Sequence, residues 1–268
     1  MSGGGIDIAE ALDGDVLLTV IAPCFNESGN IETLARRVLD TVDRMGIRAE
    51  LVLIDDGSAD VTWERIEEVA GHDARVRGVR RERNGGIEAA WRTGLTAARG
   101  RLVCLIDSDL QNRPEDIARL LDAYRGGEGL IVQAVRHSVG AGQRARLFTR
   151  GLNGMLNRSF GTSLRDNKSG FLLCSRETLA DMLRHRWRYR FYQCFVGVAA
   201  VRRGHAVVEV DTVFESRHAG ESFLPQVPIR VTMSIVWELL KFRVETWLFG
   251  WNAPSVETVA AEPDPQLA

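Results

Sequence analysis

The 268-residue chain reads as an α/β protein on a mainly parallel sheet. Three observations carry that reading. Short apolar, β-branched runs alternate with segments of helical spacing, the pattern of βαβ units. The runs are apolar throughout, as strands covered on both faces must be. The first, second and fourth runs end in polar clusters, and open α/β sheets bind their ligands beyond the carboxyl ends of the strands.

The elements follow in order. Residues 16–22 (VLLTVIA) are the first strand, stopped at Pro23. Within 30–45, Ile31, Leu34, Ala35, Val38, Leu39 and Val42 share one helical face, and Asn30 with Glu32 and Thr33 supplies the start. Residues 51–54 are the second strand and 60–70 a helix closed by Gly71. A third strand over 76–79 leads to a helix over 86–99, closed by Gly100, and a fourth strand over 102–106. Pro114 opens a helix over 114–124, before a fifth strand over 130–134. Beyond Val135 the pattern loosens into a helix over 144–160, a strand over 169–175, a helix over 191–202 and a strand over 206–213. Residues 226–251 hold large apolar residues among scattered charge.

Composition excludes several classes. With 45% apolar and 26% charged residues, the chain is neither wholly disordered nor a collagen nor a disulfide scaffold. A net charge of −2 lacks the basic excess of a nucleic-acid binder. Cys24, Cys104, Cys174 and Cys194 form no C-x-x-C pair, and three of them sit in apolar runs. They read as small hydrophobes in a reducing cytoplasm. Residues 1–15 lack the basic-then-apolar order of a signal peptide and read as disordered. No 18-residue apolar run is present to span a membrane. Residues 252–268, rich in Pro, Glu, Ala and Asp, read as a disordered tail.

The chemistry gathers at the strand ends. Asp107-Ser108-Asp109 follows LVCLI directly, and side chains at i and i+2 of extended backbone share a side. Two carboxylates so placed can hold a hard divalent cation that bridges diphosphate oxygens, and the Gln111 amide oxygen can add a third ligand. Capping of the helix after Pro114 is the competing use, and it needs only one Asp. Asp55-Asp56-Gly57-Ser58 ends the second strand, where a carboxylate can accept the N–H of uracil or guanine. Asp60 is equally suited to capping the next helix. Asn84-Gly85-Gly86 opens a helix whose N-terminus favours phosphate, or is simply a loop.

Taken together, PCFNE (23–27), IDDGSADVT (54–62), RNGGIEAAWRTGL (83–95), IDSDLQNRPEDI (106–117), DNKSGF (166–171) and ESRHAGESF (215–223) resemble the family 2 glycosyltransferases of GT-A fold. The similarity is to the dolichol-phosphate mannosyltransferase and polyprenyl-phosphate glycosyltransferase subgroup. The resemblance implies a Rossmann-like GT-A domain over 16–223, with a nucleotide-sugar half over 16–135 and an acceptor half over 136–223. An amphipathic helical segment over 224–251 would follow. It also implies that Pro23, Phe25 and Glu27 lie against the nucleotide, that Asp55 or Asp56 recognises the base, and that Asn84, Gly86 and Ser108 line the donor. Asp107, Asp109 and Gln111 would bind Mg2+ or Mn2+. Asp166 would face the reacting sugar or acceptor. Arg217 would handle the acceptor phosphate. If the acceptor is a hydroxyl, Asp166 is the first candidate base and Glu215 the second.

Two departures bear on the acceptor. The subgroup often has Lys or Gln where this chain has Ile87, and Lys where it has Phe223. The expected activity is a metal-dependent, inverting transfer from a UDP- or GDP-sugar to a polyprenyl phosphate. A soluble small-molecule acceptor is the alternative, and a nucleotidyltransferase or a non-catalytic sugar-nucleotide binder are the remaining readings. Arg184 to Arg190 (RHRWRYR) is either an anionic-ligand patch or a solvated face. The segment over 226–251, with Trp237, Trp247 and Trp251, suits an interfacial helix, a core-closing helix or a dimer interface. The expected location is cytoplasmic, with a peripheral contact to the inner face of the membrane.

Overall fold

The computed structural model describes residues 15–124, 129–138, 143–215, 229–249 and 259–260. One eight-stranded sheet runs through them in the order β3-β2-β1-β4-β6-β5-β7-β8. The strands are β1 Leu18–Cys24, β2 Ala49–Asp55, β3 Val76–Arg80, β4 Leu102–Leu105, β5 Leu130–Ser138, β6 Leu172–Ser175, β7 Ala206–Phe214 and β8 Val259–Ala260. Only β6 runs against its neighbours, between β4 and β5. The helices are α1 Ile31–Met45, α2 Thr62–His72, α3 Ile87–Ala97, α4 Ile117–Ala123, α5 Gln143–Phe160, α6 Arg176–Met182, α7 Val196–Arg202 and α8 Ile229–Leu248.

The continuous apolar runs are explained by two cores. Leu18, Val20, Ala22 and Cys24 of β1 pack with Ile31, Leu34 and Val38 of α1 on one face. Ile21 points to the other, with Ala90 and Trp91 of α3, Leu179 of α6, Val198 of α7 and Phe242 of α8. Every residue of β2 is buried, Glu50 included. That carboxylate is satisfied by the Thr19 hydroxyl at 2.8 Å, the Arg99 amide at 2.7 Å and the Arg77 guanidinium at 3.1 Å.

Several boundaries differ from the sequence reading. Gly71 does not end α2, which continues to His72. The turn is made by Asp73, whose carboxylate accepts the Arg75 amide at 2.8 Å. Gly100 does not close α3 either. It lies against β1, where a Cβ would come within 2.5 Å of the Thr19 nitrogen. The helix expected from Pro114 begins as a 3-10 turn, Pro114–Asp116. β5 extends four residues past Ala134 because β7 pairs with it through Ser138. The strand expected from Ser169 begins at Leu172, and α6 follows it with Ser175 as cap. A 3-10 turn, Tyr192–Phe195, precedes α7. Val259–Ala260 pairs with β7, where the tail had read as disordered. The rest of that tail and residues 1–14 lie outside the described residues.

Candidate active site

Register brings the motifs to one edge. Cys24 pairs with Asp55 at the ends of β1 and β2, and Ile21 pairs with Leu105 at the end of β4. The backbone after β4 therefore leaves the sheet level with Pro23, and the Ser108 hydroxyl donates to the Pro23 carbonyl at 2.8 Å.

The loops after β1 and β2 are zipped together. Asn26, in the left-handed region at φ 56°, accepts the Ala59 amide at 2.9 Å, and its own amide donates to Ser58 Oγ at 3.0 Å. The Glu27 amide donates to Thr62 Oγ1 at 2.9 Å. Gly57, at φ 74°, passes so close to Arg83 that a Cβ would meet its carbonyl carbon at 2.7 Å. Asp60 accepts the Thr62 amide at 3.1 Å and the Ser28 amide at 3.4 Å, so it ties these loops at the start of α2. Pro23, Phe25 and Glu27 are half-buried on the rim.

The two aspartates after β2 have different jobs. The Asp56 carboxylate accepts the Gly86 amide at 2.8 Å and the Gly85 amide at 3.1 Å, and it pairs with Arg81. The anion seated on the first turn of α3 is thus the chain's own side chain. Asn84 is exposed beside it. The amides that the sequence suggested for phosphate are spent on Asp56. Burial pushes the Asp56 pKa up, and the Gly85, Gly86 and Arg81 contacts oppose it. Asp55 is fully buried; its Oδ1 accepts the Ser58 amide at 2.9 Å. Its Oδ2 lies 3.2 Å from Arg80 Nε, but that contact is not aligned as a hydrogen bond. Asp55 is the aspartate that retains an acceptor oxygen.

Past β4 the burial alternates. Asp107, Asp109 and Gln111 are half-exposed, whereas Ser108, Leu110 and Asn112 are buried. The three expected ligands thus all keep some exposure in the turn after β4. Leu110 sits in the left-handed region at φ 61° with 1% exposure, a strained backbone held by the core around it. Asp109 accepts the Gln111 amide at 3.1 Å. Asp107 accepts the Asn112 side-chain amide at 3.1 Å and Gln193 Nε2 at 3.3 Å on each oxygen. Among the described residues no cluster of three or more His, Cys, Asp or Glu could enclose a metal. Two carboxylates and an amide in one partly exposed turn are a donor set that suits a hard cation completing its shell with ligand oxygens and water, as Mg2+ does.

The acceptor side differs most from expectation. Asp166 is gripped by Arg136, Nε to Oδ2 at 2.7 Å and Nη2 to Oδ1 at 3.0 Å, and it also accepts the Lys168 amide at 3.1 Å. Burial works against its charge, yet the Arg136 contacts outweigh it and hold its pKa below the usual carboxylate range. That is the reverse of what a general base needs. Glu215 turns its carboxylate to Arg113 at 3.6 Å and Arg37 at 3.8 Å. Its amide donates to the Gln111 carbonyl at 2.8 Å, pinning the loop after β4. Arg217 lies outside the described residues, as does Phe223.

Three residues escaped the sequence reading: Arg136 and Gln193 beside Asp107, and Lys168 beside Asp166. Burial lowers the Lys168 pKa, Asp166 raises it and Arg136 lowers it further. Arg136 stacks over Phe214 at 5.3 Å and feels the charge of Asp107. Lys168 lies inside DNKSGF, so the motif itself was the signal that could have found it. Arg136 and Gln193 reach partners 30 and 86 positions away, and no local spacing announces that.

The chain matches the family described as Glycosyl transferase family 2 over residues 19–183. It is 31% identical over 206 residues to the undecaprenyl-phosphate 4-deoxy-4-formamido-L-arabinose transferase of Edwardsiella ictaluri, covering 76% of this chain and 62% of that protein. The Pseudomonas paraeruginosa protein of the same name is 32% identical over 201 residues, with 70% and 59% covered. The chain thus spans about three-fifths of the length of these relatives. Among solved structures, glucosyl-3-phosphoglycerate synthase from Mycobacterium tuberculosis with Mn2+, UDP and glucosyl-3-phosphoglycerate superposes with a TM-score of 0.62 at 23% identity, covering 86% of this chain and 82% of that one. The same enzyme with Mg2+ and UDP gives a TM-score of 0.60 at 24% identity, with 90% and 85% covered. The shared fold is GT-A.

Proposed function

The chain belongs to glycosyl transferase family 2, and on that premise we propose that it moves a sugar, with inversion, from a UDP- or GDP-sugar to a polyprenyl phosphate in the presence of Mg2+ or Mn2+. The observation that carries the acceptor half is the state of the two carboxylates considered as bases. Asp166 is locked to Arg136 and Glu215 faces Arg37 and Arg113. A hydroxyl acceptor needs a base within reach of its proton. A phosphate arrives ionised and needs none. The Arg136 guanidinium, which feels Asp107, and Lys168, which feels Asp166, are cations suited to an acceptor phosphate. The relatives named for undecaprenyl phosphate, and the fold neighbours that hold UDP with Mn2+ or Mg2+, support the same reading.

In this mechanism Asp55 accepts the N–H of the base. Pro23, Phe25 and Glu27 border the nucleotide. Asp107, Asp109 and Gln111 would hold the cation, which when bound offsets charge on the leaving diphosphate. An acceptor phosphate oxygen attacks C1 from the opposite face as the bond from C1 to the diphosphate oxygen breaks. The electron pair departs with the nucleoside diphosphate, and a glycosyl phosphate bond forms. Arg136 keeps Asp166 ionised, so the pair orients the acceptor instead of taking a proton.

The outer face of α8 supports a membrane-side location. Met233, Trp237, Leu240, Val244, Trp247 and Leu248 recur at helical spacing and are all exposed, the two tryptophans at 68% and 75%. Arg184, Arg186, Arg188 and Arg190 are exposed on the loop beneath. An apolar stripe beside cations is the chemistry of a helix lying in an anionic bilayer surface. Among the described residues no helix is long and apolar enough to cross a membrane. The reading places the enzyme on the cytoplasmic leaflet.

Phe223, in place of a subgroup lysine, favours a soluble acceptor as the second reading. The deciding experiment is a panel of UDP- and GDP-sugars assayed for nucleotide release with polyprenyl phosphate in vesicles or with soluble small-molecule acceptors. Release that requires the lipid phosphate, and stops on chelation or in Asp109→Ala, is expected. Release only with soluble acceptors would overturn the acceptor half.

A further inference from the structure

The loop between α6 and α7 crosses from α8 to the strand ends, and it is firmly held. The Arg190 and Phe191 amides each donate to the Glu238 carboxylate at 2.8 Å. The Arg186 amide donates to Glu245 at 2.5 Å, and the Tyr189 amide to Glu88 of α3 at 2.8 Å. Tyr192 and Phe195, on either side of the pair Gln193-Cys194, are fully buried. Gln193 therefore leaves a fixed turn, and its amide nitrogen straddles both oxygens of Asp107 at 3.3 Å.

Gly170 shows what that reach requires. Its backbone is outside the left-handed region, so no conformational demand calls for glycine there. A Cβ would instead lie 2.7 Å from Gln193 Nε2 and 3.1 Å from its Cγ and Cδ. The missing side chain is the path along which Gln193 reaches Asp107.

We infer that Gln193 is a positioning residue that orients the Asp107 carboxylate for a divalent cation, through the space left by Gly170. This rests on the reading of Asp107 as a metal ligand. The chemistry of the contact suits the task. Gln193 and Asn112 both approach Asp107 with neutral amides. A neutral donor fixes the carboxylate plane without adding a positive charge of its own. Partners of metal ligands of this kind typically set affinity by about 10–100-fold.

The test titrates Mn2+ into the full chain with UDP, read by the Mn2+ electron paramagnetic resonance signal, with Asp107→Asn as the control. Gln193→Ala should weaken Mn2+ binding about 10-fold, keep the wild-type melting temperature, and raise the metal concentration for half-maximal turnover more than it lowers kcat. Gly170→Ala should weaken binding similarly in wild type and add little in the Gln193→Ala background, because both act through one contact. Wild-type affinity in Gln193→Ala, or a full additional loss from Gly170→Ala in that background, would overturn the inference. Wild-type protein that binds no Mn2+, or an Asp107→Asn protein that binds it normally, would remove the metal-ligand reading and this inference with it.

Discussion

Asp55 and Asp56 are neighbours that sequence alone leaves equivalent. Asp56 serves the chain, holding Gly85 and Gly86 at the start of α3, and Asp55 retains an oxygen at the strand end. Asp56→Ala should therefore destabilise the protein by about 1.5–3 kcal/mol, the worth of a hydrogen bond to a charged group, since Arg81 and two partly exposed amides lose that acceptor. Asp55→Asn should fold but bind UDP or GDP more weakly by about 1.5–3 kcal/mol, the worth of a hydrogen bond to a charged group. Thermal melts and calorimetric titration of the same two variants separate the roles. Equal melting temperatures and equal loss of affinity would show that the assignment is wrong. Asp166 makes a pH-dependent prediction. Its pKa is lowered in the folded state, so the Arg136 pair stabilises fully above the unfolded aspartate value of about 3.9 and is lost as the pH falls through the lower folded value. Asp166→Asn should be less stable than wild type by about 3 kcal/mol at pH 7, the low end for a broken buried pair because Arg136 is partly exposed. The gap should begin to narrow near about pH 3.9 and close as the pH falls past the lower folded value. Urea melts across pH 2.5–7 test it; a gap that widened in acid would refute the sign.

At the scale of elements, α8 joins the core and surface readings. Phe242 is buried among Phe160, Tyr189 and Phe195 while the opposite face stays apolar and exposed. The core-closing and interfacial readings of 226–251 thus describe two sides of one helix. Its buried Glu245 takes the Tyr189 hydroxyl and the Arg186 amide. Burial, then Glu245 itself, raises the Tyr189 pKa, so the phenol stays protonated as donor. Glu245→Ala should lower the melting temperature, with about 1–3 kcal/mol lost for each orphaned donor, and speed hydrogen exchange at Arg186. Glu245→Gln, which keeps an acceptor, should lose less; equal losses would place the effect elsewhere. Elements were legible where one physical signal dominated. The apolar runs of β1, β2 and β4 marked buried strands, whereas the extended backbone expected at Asp107–Asp109 is a turn, with Leu110 at φ 61°. What stayed hidden depended on distant partners. Gly71 and Gly100 looked alike as helix stops, but one continues a helix and the other lets the turn between α3 and β4 pack against β1. β5 was cut short because its polar end is stabilised by pairing with β7. Gln193 was unreadable because its partner lies across the sheet edge.

For the molecule as a whole, a net charge of −2 argues against attraction to an anionic surface, but such attraction is local. Screening limits the reach of each exposed charge to about 8–10 Å, so the surface meets a patch and not the net charge. Arg184, Arg186, Arg188 and Arg190 are exposed on the loop that α8 clamps, with Arg243 exposed on α8 itself. Each basic residue near an anionic bilayer contributes about 1 kcal/mol, and the stripe from Met233 to Leu248 supplies an apolar component that salt leaves intact. Binding to vesicles should therefore have two separable parts. Co-sedimentation with anionic vesicles should exceed that with neutral ones at low salt and fall towards the neutral level as salt rises. Trp237→Ser with Trp247→Ser should weaken binding to both vesicle types, because both tryptophans stand outside the core and their loss leaves the fold intact. Arg186→Ser with Arg188→Ser should weaken only the anionic preference, by about 2 kcal/mol. Equal binding of the tryptophan variant and wild type would remove α8 from the membrane contact. The donor residues do not depend on that outcome, because Asp55 ends β2, Asp107 and Asp109 follow β4, and neither tryptophan belongs to the core behind those strands.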